Sequence, residues 1–177
     1  MVPTFVIHDP DCHERDDIVK DIQDKTGADK VLARVYPDGK RGCRESHLLC
    51  AEMASNIGPD QSYFVFEDDC VLSEDWVECL PEEAYDIYYL GYNKIDGDVI
   101  YGTHAMLIGW RARTIFLRHA EEEVMNVSDI GAWDHIVSRL VKKYNLHVWF
   151  PKENRYAIQK PGLISSITGK RRKPTQD

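Results

Sequence analysis

No apolar run in this chain approaches the roughly 20 residues needed to cross a bilayer, which excludes a membrane-spanning helix from the reading. Cysteine is sparse and without pattern. Cys12, Cys43, Cys50, Cys70 and Cys79 are odd in number and include no CxxC pair, so neither a disulfide framework nor a zinc site is expected and the thiols read as reduced. An excess of basic charge is also missing. The chain has 22 Lys and Arg against 30 Asp and Glu, a net charge of −8, which argues against a nucleic-acid partner. The opening, MVPTFVIHDPDCHERDD, has no basic stretch leading into an apolar one, so it does not read as a signal peptide and a cytoplasmic location is the expectation.

What is present is a soluble globular composition, 43% hydrophobic and 29% charged over 177 residues, enough for one sizeable core. One domain is expected over 1–168. Residues 169–177 are expected to form a flexible tail, whose basic cluster KRRK could touch an anionic surface.

Strand and helix patterns alternate. TFVIH (4–8) reads as a buried strand and 15–27 as a helix, with Ile18, Val19 and Ile22 on one face and Gly27 as its stop. Residues 30–36 predict a second strand, 43–58 a helix, and YFVFE (63–67) a third strand. Ser73 is placed as the cap of a short helix. Strands follow at 85–92 and 103–109, with a glycine turn in KIDGDVIYG between them. RARTIFLRHAEEEV predicts a helix, and Ser128 or Asp129 is expected to cap another, GAWDHIVSRLVKKYN. LHVWF (146–150) is a late strand, and KPGLISSITGKRRKP is loop-like. This order favours an α/β layered domain with a largely parallel sheet.

Four places carry chemistry. In YFVFEDDCVL an apolar strand runs into Glu67, Asp68 and Asp69. Such a concentration of like charge is unfavourable unless something offsets it, and a divalent cation is one candidate. Open α/β sheets bind ligands at the carboxyl ends of their strands, and Mg²⁺ or Mn²⁺ prefers carboxylate oxygen. A solvated acidic turn is the competing reading. RGCRESHLL (41–49) opens a helix with two arginines, Ser46 and His47, a setting suited to phosphate, unless Ser46 and His47 serve only packing and capping. YGTHAMLIG (101–109) puts Gly102 and Thr103 at the entry to an apolar strand, where polar groups can face a cleft, and His104 is either a ligand or a packed histidine. SDIGAWDHI (128–136) puts Trp133 and Asp134 in the first turn of a helix. A Trp face suits a sugar ring, and a carboxylate beside it can take a proton from a hydroxyl. The helix N-terminus is expected to lower that carboxylate's pKa.

In this order the segments FVIHDPDCHERDD, GCRESH, FVFEDDCVL, DIYYLGYN, YGTHAMLIG, AWDHI and YAIQKPGLISSITG resemble glycosyltransferase family 25, the group of lipopolysaccharide-biosynthesis and procollagen galactosyltransferases. The resemblance spans about residues 4–169. It implies a GT-A fold, with a mostly parallel central sheet flanked by helices. It implies transfer of a hexose, such as galactose or glucose, from a UDP-sugar to a hydroxyl of a glycan or glycoprotein acceptor. It also implies Mn²⁺ or Mg²⁺ and an inverting single displacement.

By that resemblance Asp69 binds the metal, Asp68 binds metal or ribose, and Glu67 supports the donor. Asp134 is the expected base. His8, Arg15, Arg41 and Arg44 are candidates for nucleotide contacts, Trp133 for the sugar face, and Thr103, His104 and Gln159 for the sugar or metal side. Two alternatives from other classes are a catalytically inactive nucleotide-sugar-binding domain and a metal-dependent phosphoesterase.

Overall fold

The computed structural model describes residues 2–77, 80–125, 132–152 and 156–163. The predicted caps Ser128 and Asp129, Cys79 and the 169–177 tail lie outside them. Chain order is β1 (Thr4–His8), a short 3₁₀ turn (His13–Arg15), α1 (Asp16–Thr26), β2 (Asp29–Leu32), α2 (Gly39–Ile57), β3 (Tyr63–Glu67) and β4 (Cys70–Leu72). Then come β5 (Ile87–Tyr89), β6 (Lys94–Asp96), β7 (Val99–Tyr101), β8 (Ala105–Ile108), α3 (Trp110–Met125), α4 (Trp133–Tyr144), β9 (Val148–Trp149) and β10 (Ala157–Gln159).

Six strands form the central sheet in the order β2-β1-β3-β8-β5-β9. β1 pairs in parallel with both β2 and β3, and β5 pairs in parallel with β9. β8 is antiparallel to β3 and to β5, so it alone is reversed. Two small antiparallel pairs, β4 with β10 and β6 with β7, flank the sheet.

Alternation along the strands divides the core between the two faces. Phe5, Ile7, Tyr63, Val65, Met106 and Ile108 cluster with Ala51 and Ala54 of α2, Phe116 of α3 and Ile136 and Leu140 of α4. Val6, Phe66 and Ala105 cluster instead with Ile18, Val19 and Ile22 of α1 and with Leu72 and Trp76. The sheet is therefore covered on both faces, as its apolar strands require. No helix among the described residues is long and apolar enough to cross a membrane.

Several boundaries differ from the sequence expectation. α2 begins at Gly39, not at residue 43, because the Asp38 side chain accepts a hydrogen bond from Lys40 N and caps the helix earlier. β2 ends at Leu32, and Ser73 caps no helix, since 74–77 is turn. α4 starts after Ala132 without a side-chain cap. Gly27, at φ 69°, ends α1 as expected.

Candidate functional site

The carboxyl ends of β1 and β3 and the amino end of β8 meet at one edge of the sheet. The ladder continues past β3, with Glu67 N donating to His104 O at 2.8 Å. The acidic triplet is thereby spread over three separate environments.

Asp68 is buried at 4% exposure. Arg15 Nη1 donates to its Oδ1, while Oδ2 accepts from Asp9 N at 2.9 Å and lies 3.1 Å from His8 Nδ1. His8 Nε2 is in turn 3.0 Å from Asp16 Oδ1. Both Asp68 oxygens thus anchor the turn after β1, in addition to any role toward metal or ribose. A carboxylate at the end of an apolar strand is tolerated because a buried guanidinium and a backbone N–H compensate it. His8 and Arg15 are held in the same network.

Glu67 forms the second environment. Its Oε1 accepts from Thr103 Oγ1 at 3.3 Å and lies 3.1 Å from His47 Nε2. Thr103 also neighbours Asp134 and favours its charged form. Asp134 Oδ1 accepts from Gly102 N at 3.1 Å. Gly102 has φ +108°, and a Cβ there would come within 2.8 Å of Asn93 N, so glycine is required where the backbone turns toward Asp134. Ser138 Oγ, 3.0 Å from Ile100 N, fastens the next turn of α4 to β7.

The Asp134 carboxyl is raised above its ordinary pKa, first by burial and then by the Glu67 charge. Gly102 N, Thr103 and His47 offset this only in part. The expected lowering by the helix N-terminus is thus outweighed. Trp133 departs from its expected role. It is 2% exposed, its ring stacks on His47 at 5.4 Å, and Phe116 meets it edge-on, so it offers no open face to a sugar.

Asp69 forms the third environment, at 1% exposure beneath β10. Gln159 Nε2 lies 3.4 Å from Asp69 Oδ1, Gln159 Oε1 accepts from Asn93 Nδ2 at 2.7 Å, and Lys160 N bonds to Asp69 O. His104 is buried with Nε2 3.2 Å from Ala157 O, the position of a packed histidine tying β8 to β10. Gly91 admits this close approach, since a Cβ there would lie 1.7 Å from Ala157 O. The Asp69 carboxylate is a hard donor that suits Mg²⁺ or Mn²⁺, while Gln159 turns its NH₂ toward it and its oxygen toward Asn93. Among the described residues no third His, Cys, Asp or Glu converges with Asp68 and Asp69.

Arg41 and Arg44 are not gathered with these groups. Arg41 is paired with Glu45 and lies over the Tyr36 ring, and Arg44 reaches Glu121 of α3 at 3.6 Å. Two residues not singled out for the site, Asp16 and Asn93, complete its networks. Asp16 follows Arg15 directly, which was its only sequence signal. Asn93 becomes visible only once the β6–β7 hairpin is folded back.

The fold is that of GT-A-type transferases. A glycosyltransferase involved in glycosylation of the major capsid of PBCV-1 superposes with a TM-score of 0.58 at 8% identity, covering 89% of this chain and 92% of that one. The catalytic domain of Drosophila β1,4-galactosyltransferase 7, solved with xylobiose, gives a TM-score of 0.51 at 12% identity, over 85% of this chain and 64% of that one. A CTP:phosphocholine cytidylyltransferase from Streptococcus pneumoniae gives 0.52 at 12%, over 89% and 92%. No protein-family model and no curated protein sequence matches the chain. The likeness to family 25 therefore stays at the level of its motifs.

Proposed function

We propose that this protein is a glycosyltransferase that moves a hexose from a UDP-sugar to a hydroxyl of a glycan or glycoprotein acceptor, with inversion. The observation that carries this is Asp134: a carboxylate held by Gly102 N at 3.1 Å across from the acidic end of β3, its pKa raised by burial and by Glu67. A base is most effective when its pKa lies nearer the working pH, and burial moves Asp134 in that direction. The same fold in the Drosophila enzyme has been solved with manganese, UDP-Gal and xylobiose, which supports this choice of donor and acceptor class.

In this reading Asp134 accepts the proton of the acceptor hydroxyl as that oxygen attacks the anomeric carbon and the bond to the diphosphate breaks. Thr103 and Glu67 orient Asp134, and Glu67 supports the donor sugar. Asp69, with Gln159 above it, would hold Mg²⁺ or Mn²⁺, which when bound supplies positive charge to the departing diphosphate. Asp68, pinned by Arg15 and His8, positions Asp69. His104 fixes β10 over the site. Trp133 and His47 form its floor.

The likeness to the cytidylyltransferase favours one second reading, nucleotidyl transfer with release of diphosphate from a nucleoside triphosphate. Thermal unfolding with UDP-sugars and with nucleoside triphosphates, each with and without Mn²⁺, separates the two. At about 100 times its Kd a donor adds about 2.7 kcal/mol to the native state. The proposal expects a Mn²⁺-dependent shift with one UDP-sugar that disappears in Asp69→Ala. A shift with triphosphates alone would support nucleotidyl transfer. Donor binding without transfer to any acceptor would mark an inactive binding domain, and hydrolysis of a phosphodiester without a sugar acceptor would mark a phosphoesterase.

A further inference from the structure

The cysteine pattern gives no hint of zinc, yet folding assembles a donor set that the linear sequence does not display. Cys43 and His47 are four residues apart on α2 and therefore share a face. That face meets the end of β3, where Glu67 emerges. The Sγ of Cys43, a ring nitrogen of His47 and a carboxylate oxygen of Glu67 all lie within 4.8 Å of one another. In a tetrahedral zinc site the ligands stand about 2.0–2.3 Å from the metal, so small side-chain rotations close the remaining gap.

The four thiols among the described residues form no disulfide, and they are not equivalent. Burial pushes the Cys50 thiol up to about 12 and holds Cys70 well above its ordinary value, which makes both inert. Cys43 is only half-buried. His47 is 1% exposed and held flat against Trp133, so its ring is already oriented. Its Nε2 lies 3.1 Å from Glu67 Oε1, so the imidazole already presents a nitrogen toward the carboxylate with which it would share an ion.

We infer that Cys43, His47 and Glu67 form a zinc-binding site. Thiolate, imidazole and carboxylate suit Zn²⁺ and leave a fourth position open, whereas Mg²⁺ and Mn²⁺ favour all-oxygen sites such as Asp69. Binding requires the Cys43 thiolate, so its proton is released to solvent. The site shares Glu67 and His47 with the proposed transferase centre, but its test reads metal binding alone, so its failure and the failure of that reading are distinguishable.

The test is titration of the metal-free full chain with Zn²⁺ in competition with a chromophoric chelator, followed by Co²⁺ substitution. A single equivalent of Zn²⁺ should bind, and the Co²⁺ form should show a thiolate-to-metal charge-transfer band. Cys43→Ser should weaken Zn²⁺ binding by about tenfold or more and abolish the band, while Cys12→Ser leaves both intact. Circular dichroism and the unfolding midpoint check that Cys43→Ser stays folded. His47→Gln provides a second variant. Absence of stoichiometric Zn²⁺ binding, a Co²⁺ form without the thiolate band, or loss of binding in Asp69→Ala but not in Cys43→Ser would each overturn the assignment.

Discussion

Asp134→Asn should make the protein more stable while stopping transfer. The Asp134 carboxyl is partly buried and has Glu67 as a like-charged neighbour, so its ionised form is disfavoured in the native state. Asparagine keeps an oxygen to accept from Gly102 N and gains an amide that can donate toward Glu67. Neutralising the charge should return on the order of 1 kcal/mol at neutral pH. For a chain of this size that corresponds to a rise in Tm of roughly 2–4 °C.

The sign depends on pH. A carboxyl whose pKa is raised on folding binds its proton more tightly in the native state. Below its unfolded pKa, about 3.9, it costs nothing, and the stability it lends the acid form is lost as pH rises through the higher folded value. The advantage of Asp134→Asn should therefore be full at pH 7 and vanish toward pH 3. Calorimetry of both proteins from pH 3 to 8, together with a single-turnover transfer assay, measures it. Equal or lower stability of Asp134→Asn at pH 7, or a difference that ignores pH, would refute the electrostatic account. Undiminished transfer would refute the role of base.

Asp68→Ala should destabilise the protein by about 3–5 kcal/mol in urea denaturation, because it leaves Arg15 buried without its carboxylate; a loss below 1 kcal/mol would mean the pair contributes little. Thr103→Val removes a hydroxyl that favours the charged form of Asp134, so the acid limb of the pH–rate profile should move to higher pH, since transfer requires ionised Asp134. An unmoved limb would count against the influence of Thr103 on Asp134. Gly91→Ala places a Cβ against Ala157 O and should displace β10, costing about 1–3 kcal/mol and speeding amide exchange at Lys160, whose N–H is bonded to Asp69.

The layered α/β order was legible because period-2 strands and period-3.6 helices alternate so plainly. Ile18, Val19 and Ile22 pointed to the buried face of α1, and Gly27 to its end. The α2 start was misplaced because Asp38 lies in a loop-like PDGKRG, where a cap is indistinguishable from a turn residue. The acidic triplet was visible as a cluster of charge, but its division among three surroundings was not. Whether a carboxylate binds an ion or a guanidinium depends on what arrives from elsewhere in the chain, and Arg15 lies 53 residues from Asp68. The burial of Trp133 was hidden for a similar reason. First-turn aromatics are exposed on an isolated helix, and here the docking of α2 and α3 brings His47 and Phe116 against this one.

The reversed strand β8 has a consequence for how the molecule is made. β3 and β5 both precede it in the chain, yet neither pairs with the other in the central sheet; β8 occupies the slot between them. Until residues 105–108 arrive, a nascent or truncated chain carries two apolar strands with open edges facing an empty lane. Such edges template association between chains. Fragments ending before β8 should therefore aggregate during expression, and soluble truncations should begin only once Ile108 is included.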